Sequence, residues 1–281
     1  EFWLLMRRDL AIARALPGWR GRVASVVGLR SRDTSDAGLV RDLRWVKVLA
    51  AIGVPLAIMF HGGVGALFGV LASRPYWHSG LYPIIFLVSA LASGGALLAV
   101  ASAVFQEGWR AHRQMLIDLG RVVLGLLLLD ALLQFSEVLV GLYGGDKGFV
   151  ESLQLVLSGP YWWVFWIDQM LLGLAFPVIV LASRLHFDPR WVTAACAGVV
   201  LGFIGVRLNI VVPGLSVEEI QGLTEAIADP RVSLAYFPSA FEWMIAIGIA
   251  GLGFVLFGLG EIFLPLSRHL QPDASAKGEA R

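Results

Sequence analysis

Cysteine is nearly absent from this chain: its 281 residues hold one, Cys196, inside an apolar run. A lone thiol forms no intrachain disulfide and cannot by itself ligate an iron–sulfur cluster. Charge is scarce as well. Asp, Glu, Lys and Arg make up 15% of the residues, where a soluble domain carries about 25%. The net charge of +1 excludes a globally basic surface for nucleic acid. Of five histidines only His61 lies deep in an apolar stretch, and no C-x-x-C-H occurs, so neither paired axial ligands for a b-type haem nor a c-type attachment site is present. The expectation is a chain with no haem, iron–sulfur cluster or other metal of its own. There is no Gly-rich phosphate loop, no internal repeat, and no low-complexity tract before the polar tail after Gln271.

Apolar residues, by contrast, make up 57% of the chain. Six apolar runs reach the roughly 20 residues needed to cross a bilayer, at 46–72, 81–105, 119–142, 161–183, 191–212 and 239–265. The expected fold class is therefore an all-α integral membrane protein. Residues 1–45 read as the end of an upstream helix, Glu1–Met6, followed by a basic cytoplasmic segment. Residues 46–266 form the transmembrane helical domain and 267–281 a polar cytoplasmic tail. Orientation follows from the arginines. Arg7, Arg8, Arg14, Arg20, Arg22, Arg30, Arg32, Arg41, Arg44 and Lys47 precede the first span, and alternation puts Arg110, Arg113, Arg184, Arg190, Arg268, Lys277 and Arg281 on the same, cytoplasmic side.

The opposite loops hold Arg74, Lys147 and Arg231, and the long one after Pro213 is acidic, with Ser216-Val-Glu-Glu219 reading as the capping box of a short helix. Tyr76, Trp77, Tyr82, Tyr161, Trp162, Trp163 and Tyr236 read as an outer aromatic belt. Gly65/Gly69 and Gly198/Gly202 have the small-xxx-small spacing of close helix packing.

Ionisable groups inside these spans are the site candidates, because each is costly in lipid unless paired or in use. At about 1.5 Å per residue, His61 lies roughly 21 Å outward from Lys47, in the outer part of a core about 30 Å thick. Gln134 and Glu137 fall in the outer half of the third span and Asp130 near its middle. All three share a face at i, i+4 and i+7, as a proton path or interhelical hydrogen bonds would require. Asp168 and Gln169 lie two turns into the fourth span, Arg207 and Asn209 near the outer end of the fifth, and Glu242 at the outer start of the sixth. Each has a structural alternative. His61 fits a neutral core histidine bonded to a carbonyl, Asp168 and Arg207 a salt bridge, and Glu242 the capping box Ser239-Ala-Phe-Glu242. Asp118 and Arg121 read as a pair at the inner boundary.

His61-Gly-Gly, then Arg74-Pro75-Tyr76-Trp77, Pro83 and the apolar run Phe86–Leu98 together form a pattern. It resembles the membrane subunits of the NrfD/polysulfide reductase family, in the branch with the hydrogenase-2 and DsrP-type quinone-reactive subunits. The resemblance extends over roughly residues 1–270. It implies a larger helical bundle with further helices upstream, and a quinone or quinol substrate, menaquinone or ubiquinone, facing His61. It also implies electron exchange with a separate, periplasmic ferredoxin-like subunit carrying four-iron clusters, within a respiratory complex of a bacterial or archaeal cytoplasmic membrane.

On that reading His61 and Asp168 are the acid–base pair. His61, Gln134, Glu137, Arg207 and Glu242 contact the quinone, and Asp130, Glu137 and Asp168 carry protons. A proton-coupled transporter and a non-catalytic membrane anchor of a redox complex remain the competing classes. The topology is checked directly: a cysteine engineered between Ser216 and Asp229 is expected to react with an impermeant maleimide added outside the cell. Labelling only from the cytoplasmic side would reverse the orientation.

Overall fold

The computed structural model describes residues 1–263 apart from 16–17, 30, 106–108, 110–111, 219, 221, 223–225, 228–233, 235 and 237. Helices account for all the regular structure among the described residues: α1 Phe2–Ala13, α2 Trp19–Val27, α3 Asp36–Gly69, α4 Tyr82–Phe105, α5 Arg113–Gly144, α6 Lys147–Ser158, α7 Val164–Ala182, α8 Pro189–Leu215 and α9 Ala240–Phe263, with one 3₁₀ turn at Arg184–Phe187. Five of them, α3, α4, α7, α8 and α9, are long and apolar enough to cross a membrane. The protein is a multi-pass, all-α membrane protein. The expected third span lies within α5, whose 32 residues extend about 48 Å and which packs against both α4 and α8.

Spans two, four, five and six fall within three residues of their expected ends, whereas α3 begins ten residues before the expected 46. Ser35 explains the early start. Its hydroxyl caps α3 by accepting the Gly38 N–H at 3.0 Å, so Arg41, Arg44 and Lys47 ride on the helix rather than on a preceding loop. The box expected at Ser216 does not begin a helix. Ser216 ends α8, its hydroxyl donating to the Val212 carbonyl, while Glu219, Glu225, Asp229, Arg231 and the tail 267–281 lie outside the described residues.

The chain divides into two compact units, Glu1–Ala57 with Phe237–Arg281, and Ile58–Tyr236. In the first, α1 and α2 pack through Met6, Leu10, Ala13 and Ala24. Arg7 pairs with Asp42 at 2.8 Å and Arg8 with Asp36 at 3.1 Å. The Ser35 hydroxyl and backbone N–H hold the Asp33 carboxyl below its ordinary range, with Arg41 adding to the effect. The apolar side chains of α9 face outward on every side, as a helix in lipid requires.

The second unit is built on small residues. Ala92, Ala96 and Ala99 form a fully buried stripe on α4 that meets α5 and α8, and Gly120 of α5 lies against Val192. Gly65 and Gly69 let α3 lie directly on the backbone of Ser79–Pro83. Trp77, Tyr82 and Tyr161 depart from the expected aromatic belt by being buried. Trp77 donates from its indole to the Ile210 carbonyl at 2.8 Å and packs edge-on against Phe68, while Trp162, Trp163 and Tyr236 stay exposed. Indoles satisfied by protein carbonyls bury well; those facing the headgroup level do not need to.

The first part of α7, Val164–Ala175, is a π-helix. Pro177 accounts for it: its ring nitrogen has no hydrogen to give the Gly173 carbonyl, and its ring crowds that carbonyl, so the preceding turns widen. At the same level Gly173 and Gly202 meet backbone to backbone. A methyl group at Gly202 would collide with the Gly173 backbone, so Gly202→Ala should destabilise the purified protein by about 1–3 kcal/mol and lower its thermal midpoint. Gly94→Ala, which points into open space, should not.

Candidate functional site

Asp130, Gln134 and Glu137 share one face of α5, and the first two are joined: Gln134 Nε2 donates to Asp130 Oδ2 at 2.5 Å. From there the chain leaves the helix. Gln169 Nε2, on α7, donates to Gln134 Oε1 at 2.9 Å, and Asn209 Nδ2, on α8, donates to Gln169 Oε1 at 2.9 Å. The direction is dictated from one end. A carboxylate only accepts, so Gln134 must present its NH₂ to Asp130, and each further amide must then do the same to the one before it. Asp130, Gln169 and Asn209 are 2%, 8% and 3% exposed, so these bonds cannot be exchanged for water. Asp130 Oδ1 and Asn209 Oδ1, both buried, have no hydrogen-bond partner.

A cavity of about 390 Å³ opens between α5, α7 and α8, with Asp130, Gln134 and Gln169 on its wall and Phe135, Phe165 and Phe203 among its apolar lining. Its size and composition fit a small-molecule site, for which roughly 300–1,000 Å³ is usual. A smaller cavity of about 70 Å³ lies one turn further along α5 toward Gly144. It shares Gln134 and Val138 with the first and adds Glu137, Tyr76 and Tyr82. Glu137 accepts the Ser79 hydroxyl at 2.7 Å. The Tyr76 hydroxyl donates to the Asn209 carbonyl at 3.4 Å, and burial, together with the Glu137 carboxylate, pushes the Tyr76 phenol above its ordinary pKa.

A family model described as polysulphide reductase, NrfD, matches residues 3–218. The chain belongs to the NrfD family. It is 31% identical to a selenate reductase subunit of Mesobacillus selenatarsenatis, over 95% of this chain and 64% of that protein. Identity is 29% to the Hdr-like menaquinol oxidoreductase integral membrane subunit of Archaeoglobus fulgidus, over 76% and 56%, and 22% to the menaquinone reductase integral membrane subunit of Nitratidesulfovibrio vulgaris, over 78% and 53%. The chain thus spans between half and two thirds of these relatives' length.

The residues singled out in this NrfD-family chain separate into groups. Asp130, Gln134 and Glu137 are together, as their spacing predicts. Arg207 lies beside them. Its guanidinium sits 4.5 Å over the Phe86 ring and donates to Ser89 Oγ at 3.2 Å, and its carboxylate neighbour is Asp130 rather than Asp168. Asp168, half-buried on the π-helical stretch, lays its carboxylate against the Gly205 backbone and is not a member of the amide chain. His61 is half-buried on α3, edge-on to Phe60 at 5.4 Å, one turn from Gly65, and lines neither cavity. Glu242 belongs to the other compact unit, where it and Ser239 form the reciprocal capping bonds of α9 at 2.6, 2.8 and 3.3 Å. Asp118 and Arg121 pair at 3.0 Å, as expected.

Gln169 and Asn209 belong to the site although sequence reasoning chose the charged groups beside them, Asp168 and Arg207. A neutral amide in a span gives a weaker signal than a charge, and its partner on another helix is invisible to spacing. Gln169→Leu keeps the volume but strands the Gln134 carbonyl and the Asn209 NH₂, each at a cost of about 1–3 kcal/mol. A lower thermal midpoint is expected for it than for Glu137→Gln, which retains an acceptor for Ser79.

Proposed function

We propose that this chain is the quinone-reactive membrane subunit of a respiratory oxidoreductase complex, exchanging electrons and protons between quinone or quinol and a separate redox subunit. The observation that carries the reading is the cavity between α5, α7 and α8: an apolar slot at membrane level whose one polar wall is a buried carboxylate and two amides. A quinone head needs this combination, apolar walls for ring and tail with hydrogen-bonding groups at its oxygens. Two relatives named for menaquinol or menaquinone support that substrate class. Asp130 and Gln134 would contact the head. Glu137 and Ser79 would extend the polar column outward, and Arg207 would balance the Asp130 charge.

In this proposal electrons pass to a cofactor on another subunit. We assign that role to a ferredoxin-like iron–sulfur protein on the outer face, with the complex in a bacterial or archaeal cytoplasmic membrane and both ends of this chain inside. His61 and Asp168, which line neither cavity, are the acid–base groups of the proposal.

The experiment is quinol turnover by the assembled complex carrying single substitutions. His61→Ala and Asp168→Asn should each lower it by about 10²–10⁴ while the partner's activity with an artificial dye is retained. Wild-type quinol kinetics in both variants would remove these residues from the chemistry. Absence of quinol turnover in the unmodified complex would overturn the function.

A further inference from the structure

The long helices of the second unit alternate in direction, so Phe105 of α4, Arg113 of α5, Ala182 of α7 and Pro189 of α8 share one end of the bundle. Arg113, Arg184 and Arg190 stand exposed at that end, and among the described residues none of them forms an ion pair. Arg113 donates to the Phe187 carbonyl at 2.9 Å, which ties the start of α5 to the 3₁₀ turn, and Arg190 holds its guanidinium 5.4 Å from the centre of the Trp109 ring. Neither contact supplies a full negative charge. A carbonyl occupies one of the five guanidinium N–H groups, and a ring occupies the face while leaving the edge. The carboxylates nearby are committed: Asp118 to Arg121 and Gln114, and Asp188 to the backbone N–H of Arg190 as the cap of α8. Glu107 and Arg110 lie outside the described residues. The opposite end is matched instead. Arg74 donates to the Gly214 and Val217 carbonyls at 3.3 and 2.9 Å, Lys147 pairs with Glu151 at 3.6 Å, and Asp146 and Glu218 add negative charge.

We propose that the end of the bundle bearing Arg113, Arg184 and Arg190 is a binding surface for an anionic phospholipid, whose phosphate the guanidinium edges take and whose acyl chains run down the flank of the helices. The surroundings select a lipid over an acidic protein segment. Trp109, Leu185, Phe187 and Trp191 are exposed among the arginines, where α7 ends and α8 begins, and Met115 and Ile179 are exposed within about a turn of them along the spans. Aromatic rings at the end of an apolar span belong at headgroup level, and apolar side chains below them offer a surface to lipid tails. Guanidinium groups bind phosphate through paired N–H donors, and their charge holds at every physiological pH. None of these residues lines either cavity, so the surface stands apart from the quinone reading.

The test presents the assembled complex, in a neutral detergent, with equal amounts of dioleoyl phosphatidylglycerol and dioleoyl phosphatidylcholine, and native mass spectrometry counts the lipid that this chain keeps when released from the complex. Phosphatidylglycerol should be kept at least about tenfold in preference, the ratio that two arginines beside one headgroup supply. Replacing all three residues, Arg113→Gln, Arg184→Gln and Arg190→Gln, should lower that ratio several-fold, whereas Lys147→Gln at the opposite end should leave it unchanged. Excess inorganic phosphate should not strip the lipid, because the acyl chains hold it as well. In the unmodified complex, phosphatidylglycerol carrying a diazirine close to its headgroup should label the peptide that contains Leu185 and Phe187, a result that depends on no variant folding. Equal retention of the two lipids, a ratio unchanged in the triple variant, displacement by phosphate alone, or labelling of a partner subunit in place of that peptide overturns the inference. Quinol turnover measured on the same preparation reports separately on the function.

Discussion

The contact between Gly173 and Gly202 is the constraint on which the site depends. A bilayer supplies no water to satisfy a buried amide, so Gln169 on α7 and Asn209 on α8 are tolerable only where the helices stand close enough for the two side chains to meet. Backbone-to-backbone approach at the glycine pair sets that distance, and the 2.9 Å bond between the amides follows. Pro177 contributes from the same helix. The π-helical turns it imposes rotate the residues before it relative to a regular α-helix, which separates Gln169, in the chain of amides, from its neighbour Asp168, against Gly205.

Once the helices are held, one carboxylate orders three amides. Asp130 can only accept when ionised, and every amide beyond it inherits that direction, so a single charge near the middle of α5 defines which atoms of Gln134, Gln169 and Asn209 are spent. Neutral groups arranged this way carry polarity through a membrane interior at far lower desolvation cost than a row of charges. Arg207 fits the same logic. It is placed for attraction to Asp130 yet is anchored by Ser89 and by the face of Phe86 rather than by a contact ion pair.

The second unit therefore combines two kinds of packing. Along α4, α5 and α8 the alanine stripe and Val123, Val192 and Val199 make a dry core. Beyond Leu127 of α5, toward Gly144, the helices leave the two cavities, walled on one side by polar atoms. Trp77 and Tyr82 are drawn into the interior by protein carbonyls, and α3 rests on the Ser79–Pro83 segment through Gly65 and Gly69.

Composition and hydropathy alone determined the fold class and the spans to within a few residues in four cases, because the bilayer demands long apolar helices and punishes every other choice. Spacing on a single helix was equally legible: Asp130, Gln134 and Glu137 at i, i+4 and i+7 had to share a face, and Ser239 with Glu242 had to cap α9. Only the tertiary structure decided which polar groups meet across helices. Asp130 has Arg207 as its cationic neighbour, Gln169 and Asn209 complete the chain, and Asp168 turns to Gly205, since helix rotation and separation are set by the small residues at each crossing and by the widened turns ahead of Pro177.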